Sequence, residues 1–366
     1  MNQKSTVGKR SVVEFLPDPL KICHYIKMKK RDLYLVLGGT FLIIILYVSL
    51  QFFVPLKKET ERFEVLIPKG MSFRAAVEML YEKRLIRDRN LFILLGRITG
   101  LDRKLRYGYY QFIGSVSPFE LFKKLLKGEI EEYEITIKEG STIADIALIL
   151  EEKGIIDRER FLNLARDKGL LKELSIDAPS LEGYLYPTTY KIPKGTDVVD
   201  IVRFMVNTMR RFLSPYVERA EEIGLTENQL LTLASIIEKE AKFDYERPLI
   251  SAVYHNRMKK RMKLQADPTA VYDLKGTKKL VTRKDLLRNT EYNTYIHRGL
   301  PPGPIASPSL KSVIAALNPA DVPYLYFVSN NDGTHNFSVS FEEHIKYRQE
   351  YIKRKRIKKG PTRANQ

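Results

Sequence analysis

The chain has 366 residues, 44% of them apolar and 29% charged. That balance excludes a wholly disordered protein and leaves room for two folded domains of roughly 100–200 residues each. A formal charge of +18 raises nucleic acid as a partner, and the single cysteine, Cys23, excludes an intramolecular disulfide.

The first element is an uninterrupted apolar run, LYLVLGGTFLIIILYVSLQFFV, from Leu33 to Val54. Its 22 residues contain no charge, and about 20 are needed to cross a hydrocarbon core of roughly 30 Å. Lys21, Lys27, Lys29, Lys30 and Arg31 precede it, whereas Lys57 and Lys58 are soon balanced by Glu59 and Glu61. Basic residues are retained on the cytoplasmic side, so residues 1–32 are expected inside and the rest outside a cytoplasmic membrane. The run is too long for a signal-peptide core and ends Phe52-Phe53-Val54-Pro55 rather than in small residues. This single-pass topology removes nucleic acid as a partner. The basic charge then suits an anionic bilayer or wall polymer. An outer part without cysteine fits a bacterial envelope protein large enough to dispense with disulfides.

An internal repeat follows. FEVLIPKGMSFRAAVEMLYEKRLIRDRNLF (63–92) and YEITIKEGSTIADIALILEEKGIIDRERFL (133–162) match in kind at an offset of 70. Phe63 answers Tyr133, Gly70 answers Gly140 and Ser72 answers Thr142; Asp88 answers Asp157 one place out. Each unit predicts a strand, a glycine turn and a helix capped by Ser or Thr. In the first unit a second helix (Leu91–Ile98), a returning strand at Tyr109–Phe112 and a capped start at Ser117-Pro118 complete a small αβ module. Strand, helix, helix, strand over 60–130 resembles a LysM-like sugar-binding module.

Beyond residue 170 the spacing predicts loops or short strands over 181–193 and a long amphipathic helix from Asp197 to Gly224. Further helices are expected from Leu230 to Ala241, from Pro248 to Met258 and from Leu310 to Leu317. Residues 265–308 are rich in turns. Tyr324–Ser329 reads as a buried strand closed by Asn330-Asn331-Asp332-Gly333, and the basic tail 351–366 as solvated chain. The fold class is α+β: one transmembrane helix, a small αβ module and a mixed α/β catalytic domain over 131–350.

The helix at Leu230 is signed by a T-x-x-Q capping box, Thr226 and Gln229, with Leu230, Leu233, Ala234 and Ile237 on one face. At 100° per residue Glu240 lies about 70° from the centre of that face and Glu238 about 90° on the other flank, with Lys239 pointing away. A carboxyl at the border of core and cleft has its pKa raised by partial desolvation, as a general acid requires. A solvated helix end is the competing reading, and position alone favours it.

Longer motifs decide between them. ASIIEKE (234–240), Glu246-Arg247-Pro248, Tyr254-His255-Asn256-Arg257, LQADPTAVY (264–272), YNTYIHRGLPPGPIASPS (292–309), Asn318-Pro319-Ala320, YLYFV (324–328) and Gly333 with HNFS (335–338) keep their order. Together they resemble the MltG (YceG-like) endolytic murein transglycosylases over roughly 180–345. The family's E-G-x-x-x-P-D-T-Y stands here as Glu182 to Tyr190 with Thr188 in place of Asp, which puts any role of that Asp in doubt.

The resemblance implies that Glu240 is the catalytic acid. It would break the β-1,4 bond between N-acetylmuramic acid and N-acetylglucosamine and close a 1,6-anhydro ring, with one carboxylate serving as acid and then base. Gln265, Asp267, Asn293 and Tyr295 are candidates to hydrogen-bond the sugars or to satisfy loop backbone, and Glu182 and Tyr186 to line the cleft. Expected partners are peptidoglycan glycan strands, the membrane, and the peptidoglycan synthases (penicillin-binding proteins) met there. No cofactor is expected: the histidines lack metal-ligand spacing, there is no G-x-S-x-G, and no glycine-rich loop would cradle pyridoxal phosphate beside Lys239. A non-catalytic wall-binding scaffold is the alternative. It would use the same anchor and module, and the motifs around Glu240 argue against it.

Overall fold

The computed structural model describes residues 30–56, 62–274 and 281–358. Most of the charges that set the expected orientation, from Lys21 to Lys29 and from Lys57 to Glu61, lie outside the described residues, as does Cys23. The chain is mixed α/β and divides after Glu129 into two compact units.

In the first unit α1 (Lys30–Phe53) contains one stretch, Leu33–Phe53, long and apolar enough to cross a membrane. Large side chains from Leu35 to Leu46 stand exposed along it, an arrangement suited to lipid rather than water. Its last two turns are held by protein. Phe52 is buried between Phe92 and Phe122, Tyr47 donates its hydroxyl to Asp88, and the Arg87 guanidinium donates to the carbonyls of Leu50 and Val54. Then come β1 (Arg62–Ile67), α2 (Phe73–Glu82), α3 (Arg89–Thr99), α4 (Leu101–Lys104), β2 (Gly108–Ile113) and α5 (Pro118–Lys127). β1 and β2 pair antiparallel from Arg62 with Ile113 to Ile67 with Gly108. Ser72 caps α2, Asp88 caps α3, and Ser117 with Glu120 forms a capping box on α5 behind Pro118.

The second unit opens on the repeated pattern. β3 (Glu132–Thr136) leads to α6 (Ile143–Glu152) under a Thr142–Asp145 capping box, then to α7 (Arg158–Leu164), capped by Asp157, and α8 (Lys168–Glu173). The strand pairing with β3 is distant: β4 (Thr189–Pro193) returns antiparallel, and the Thr188 carbonyl extends that ladder to Ile137. The long helix expected over 197–224 is broken. α9 (Val198–Leu213) ends where Ser214-Pro215-Tyr216 forms a 3-10 turn, because Pro215 lacks the donor a continuing helix needs, and α10 (Val217–Glu222) follows.

α11 (Glu227–Glu240) carries the expected capping box, but it is not amphipathic in its setting. Every residue from Leu230 to Ile237 is buried, so it is the central helix of the unit. Thr232 and Ser235 are admitted to that core because their hydroxyls bond backward to the carbonyls of Asn228 and Thr232. Along one side runs the chain from Pro302 to Ser309. The Asn228 amide donates to the Pro302 carbonyl, the Ile305 N–H donates to Ser235 Oγ, and the Ser309 N–H donates to Glu238. Positions 228, 235 and 238 fall on one side of a helix, which is why so proline-rich a segment lies flat against it.

α12 (Arg247–Lys259), α13 (Asp267–Val271) and α14 (Leu310–Leu317) complete the surround, with 3-10 turns at Asp244–Glu246, Tyr272–Leu274 and Asp285–Leu287. β5 (Tyr326–Ser329) and β6 (His335–Ser338) form a hairpin around Asn330–Gly333. β5 is half-exposed rather than buried, since β6 is its single strand partner with α12 and α15 (Phe341–Lys358) beside it. The basic tail is helical as far as Lys358, and the rest of it lies outside the described residues.

Gly183 has φ +79°, and a Cβ there would lie 2.4 Å from the Pro304 side chain; Gly154 has φ +67° with open space around it. Gly154→Ala is expected to lose only the backbone strain of about 1–2 kcal/mol. Gly183→Ala adds a clash with a fixed ring and should depress the melting temperature of the detergent-solubilised chain clearly further.

Candidate active site

Glu240 is the last residue of α11, where the helix emerges from the core. Three further segments meet it. Tyr254 on α12 donates its hydroxyl to Glu240 Oε1 at 3.3 Å. Asp267 begins α13 and accepts the Tyr295 hydroxyl at 2.5 Å. The loops bearing these two are zipped together: Gln265 N–H donates to the Thr294 carbonyl, Ala266 N–H to Thr294 Oγ1, and Thr294 N–H to Thr269 Oγ1.

Burial pushes the Glu240 carboxyl up to about 8, the negative charge of Asp267 adds to that, and the Tyr254 hydrogen bond opposes it. The carbonyl end of α11 acts in the same direction as burial. Tyr254 is itself raised well above the ordinary phenol range by burial and by the charge of Glu240, so it remains a donor. The result is a carboxylic acid that keeps its proton at neutral pH, facing a second carboxylate that does not share its burial.

Glu238, two residues back on the same helix, has the opposite fate. Burial alone would raise its carboxyl. The hydroxyls of Ser309 and Ser312, the Arg247 guanidinium and the Ser309 N–H outweigh that and hold it below the usual range. Its ion pair with Arg247 spans 3.0 Å, with both side chains under a tenth exposed. It is ionised and fully engaged, and therefore unsuited to donate a proton.

Of the other expected residues, Gln265 has φ +52°, and its side-chain oxygen accepts from Arg257 at 3.2 Å. Asn293 is fully buried. Its amide donates to the carbonyls of Leu286 and Arg288 and its oxygen accepts the Tyr295 N–H, so it takes the backbone-satisfying role of the two expected for it. Tyr186 is stacked on Phe212 at 4.1 Å. Glu182 is buried at the wall of a neighbouring cavity, where it accepts the Ile143 N–H and the Tyr272 hydroxyl; burial pushes it up to about 7.

Three participants were not singled out from sequence. Arg257, buried on α12, donates to the carbonyls of Leu325, Lys263 and Leu264 as well as to Gln265, and so fixes the chain entering Asp267. Tyr254 lies in a recognised motif, but nothing in its spacing aims it at Glu240. Glu246 joins α12 to the β5–β6 hairpin through the His335 N–H at 2.9 Å and ring Nδ1 at 2.8 Å. Among the described residues no cluster of His, Cys, Asp and Glu has the arrangement of a metal site.

A protonated carboxyl at the end of a buried helix is a group able to act as a general acid. The YceG-like family model matches residues 65–350, and the chain belongs to that family. It is 29% identical over 341 residues to the endolytic murein transglycosylase of Bacillus subtilis, covering 88% of this chain and 93% of the relative. It is also 29% identical to the endolytic murein transglycosylase of Streptococcus pneumoniae, of which it spans 58%. A crystal structure of a YceG-like protein from Listeria monocytogenes, 31% identical, superposes with a TM-score of 0.54 over 79% of this chain and 99% of that one.

The two glutamates of α11 should respond oppositely to neutralisation. Glu238→Ala removes the buried partner of Arg247 and leaves it only the exposed Asp244 carboxylate, which should cost about 3–5 kcal/mol. Glu240 has its folded pKa raised above the unfolded value, so ionisation above about pH 4.5 favours the unfolded chain until the folded group also ionises near pH 8. Glu240→Gln should accordingly raise the melting temperature at pH 8, with the difference vanishing towards pH 4 in a thermal-unfolding series.

Proposed function

We propose that this protein is a membrane-anchored endolytic lytic transglycosylase of peptidoglycan, with Glu240 as its acid and base. The observation that carries the reading is the protonated carboxyl of Glu240 at the mouth of the buried helix α11. In the first step Glu240 gives its proton to the oxygen linking N-acetylmuramic acid to N-acetylglucosamine. The C1–O bond breaks, and the leaving sugar departs with a free 4-hydroxyl. Positive charge develops at C1 of the muramyl ring, where the Asp267 carboxylate would offset it. The muramyl C6 hydroxyl then attacks C1 and returns its proton to Glu240, which closes the 1,6-anhydro ring without water. One carboxylate suffices, because the nucleophile belongs to the substrate and no second protein carboxylate has to activate it.

α1 anchors the enzyme with its N-terminus inside and the catalytic unit on the outer side, where glycan strands emerge from their synthases. The enzyme would then cut nascent strands and end their elongation, with penicillin-binding proteins as neighbours. The LysM-like pattern of the first unit is read as a glycan-holding module. The domain limits follow as 60–130 for that module and 131–350 for catalysis.

Digesting uncross-linked peptidoglycan with the detergent-solubilised full chain should yield 1,6-anhydromuramyl ends by mass spectrometry. Reducing ends instead would mean hydrolysis and overturn the assignment. Glu240→Gln should lower the rate by about 10²–10⁴-fold. The rate should fall as pH rises through about 8, where Glu240 loses its proton. Asp267→Asn removes a charge that raises Glu240 and should move that alkaline limb to lower pH.

A further inference from the structure

Beside the acid lies a cavity of about 690 Å³ to which Glu240 itself does not contribute. Its wall does include the immediate neighbours of the catalytic pair, Lys239 and Pro268. Successive helical residues diverge by about 100° on a cylinder some 10 Å across. The cavity therefore lies one helix face round from Glu240, next to the acid but separate from it. Part of its lining is apolar, with Leu148, Leu162 and Val271 among the residues.

The charges of this cavity are unevenly satisfied. Each of its acids is engaged: Asp145 in the capping box of Thr142, Asp273 in an ion pair with Arg288, and Glu182 with the Ile143 N–H and the Tyr272 hydroxyl. Lys239 donates to the Gly140 carbonyl. Arg158 and Arg166 are exposed at the cavity, and among the described residues neither guanidinium has a hydrogen bond or ion pair. The cavity thus offers two unspent planar cations, the geometry best matched to carboxylates.

We propose that this cavity binds the acidic peptide carried by the muramyl sugar, with Arg158 and Arg166 pairing its carboxylates. The proposal rests on the transglycosylase reading and adds a specificity site to it. The amino-sugar backbone is uncharged once the lactyl group is amidated, so the anions a strand can offer these guanidiniums belong to its peptides. Each peptide branches from C3 of the muramyl ring, two ring atoms from the C1 that is cleaved. That keeps the branch close to the acid and within reach of the neighbouring cavity. Sugar recognition by the cavity would leave the two guanidiniums unused.

The test compares initial rates for the detergent-solubilised full chain on peptide-bearing, uncross-linked strands and on the same strands stripped by an amidase. The wild-type chain should favour the peptide-bearing strands by about tenfold, equivalent to about 1.4 kcal/mol, and raised salt should shrink that ratio. Arg158→Ala with Arg166→Ala should bring the ratio close to one, while Arg158→Lys with Arg166→Lys should keep most of it. Because each ratio is internal to one protein, a general loss of folding cannot mimic the result. A wild-type ratio of one, or an unchanged ratio in the double alanine variant, overturns the proposal. A failure to form anhydro ends on either substrate strikes instead at the transglycosylase reading beneath it.

Discussion

The second unit depends on one constraint, the burial of α11 on every side. A helix enclosed from Leu230 to Ile237 has no solvated face on which to place charge, so its charges fall at its ends, Glu227 in the first turn and Glu238, Lys239 and Glu240 in the last. Position on the last turn then sorts them. Glu238 is still within the core and survives as an ion because Arg247, Ser309 and Ser312 all close on it. Glu240 emerges among tyrosines and a like charge and keeps its proton. Lys239 points outward to Gly140. A protonated carboxyl and a structural ion pair thus stand two residues apart on one helix.

The segments that enclose α11 also build the site. The chain from Pro302 to Ser309 is bound at Asn228, Ser235 and Glu238, α12 contributes Tyr254, and the zipped loops at 265–269 and 293–295 bring in Asp267 and Tyr295. Arg257 on α12 ties the chain entering the 265–269 loop, and the chain at Leu325, through their backbone carbonyls. Most polar side chains of the expected binding set are spent on such fastening. Asn293 is the clearest case, since its amide is exhausted by backbone groups in a fully buried position. Arg158 and Arg166, whose guanidiniums are unspent, lie early in the unit, Arg158 within the repeated pattern and Arg166 just beyond it, and not in the motifs around the acid.

Local signals were legible wherever the physics is local. The Ser72 and Thr142 caps, the capped start at Ser117, the capping box at Thr226, and Pro118 and Pro248 near helix starts each act within one turn of chain. The apolar run from Leu33 was equally plain, because length and the lack of charge are properties of the segment alone. Readings failed where a neighbour decides. The helix expected to Gly224 ignored that Pro215 removes a donor, the strand at Tyr326 was read as buried without knowing it has a single strand partner, and α11 was read as amphipathic although its polar positions satisfy themselves.

By itself the sequence determined that α11 is capped at Thr226 and runs to about Ala241, one residue past its observed end, and its ordered motifs marked Glu240 as the residue to examine. It could not determine the protonation of that residue. A carboxyl's pKa depends on what excludes water from it and which charges face it, and those groups come from positions 254 and 267. Glu238 and Glu240 are the same side chain on the same helix, so no rule of composition or spacing separates them. Tertiary packing did so, by giving one a buried cation and hydroxyl donors and the other a like charge and a low-dielectric wall.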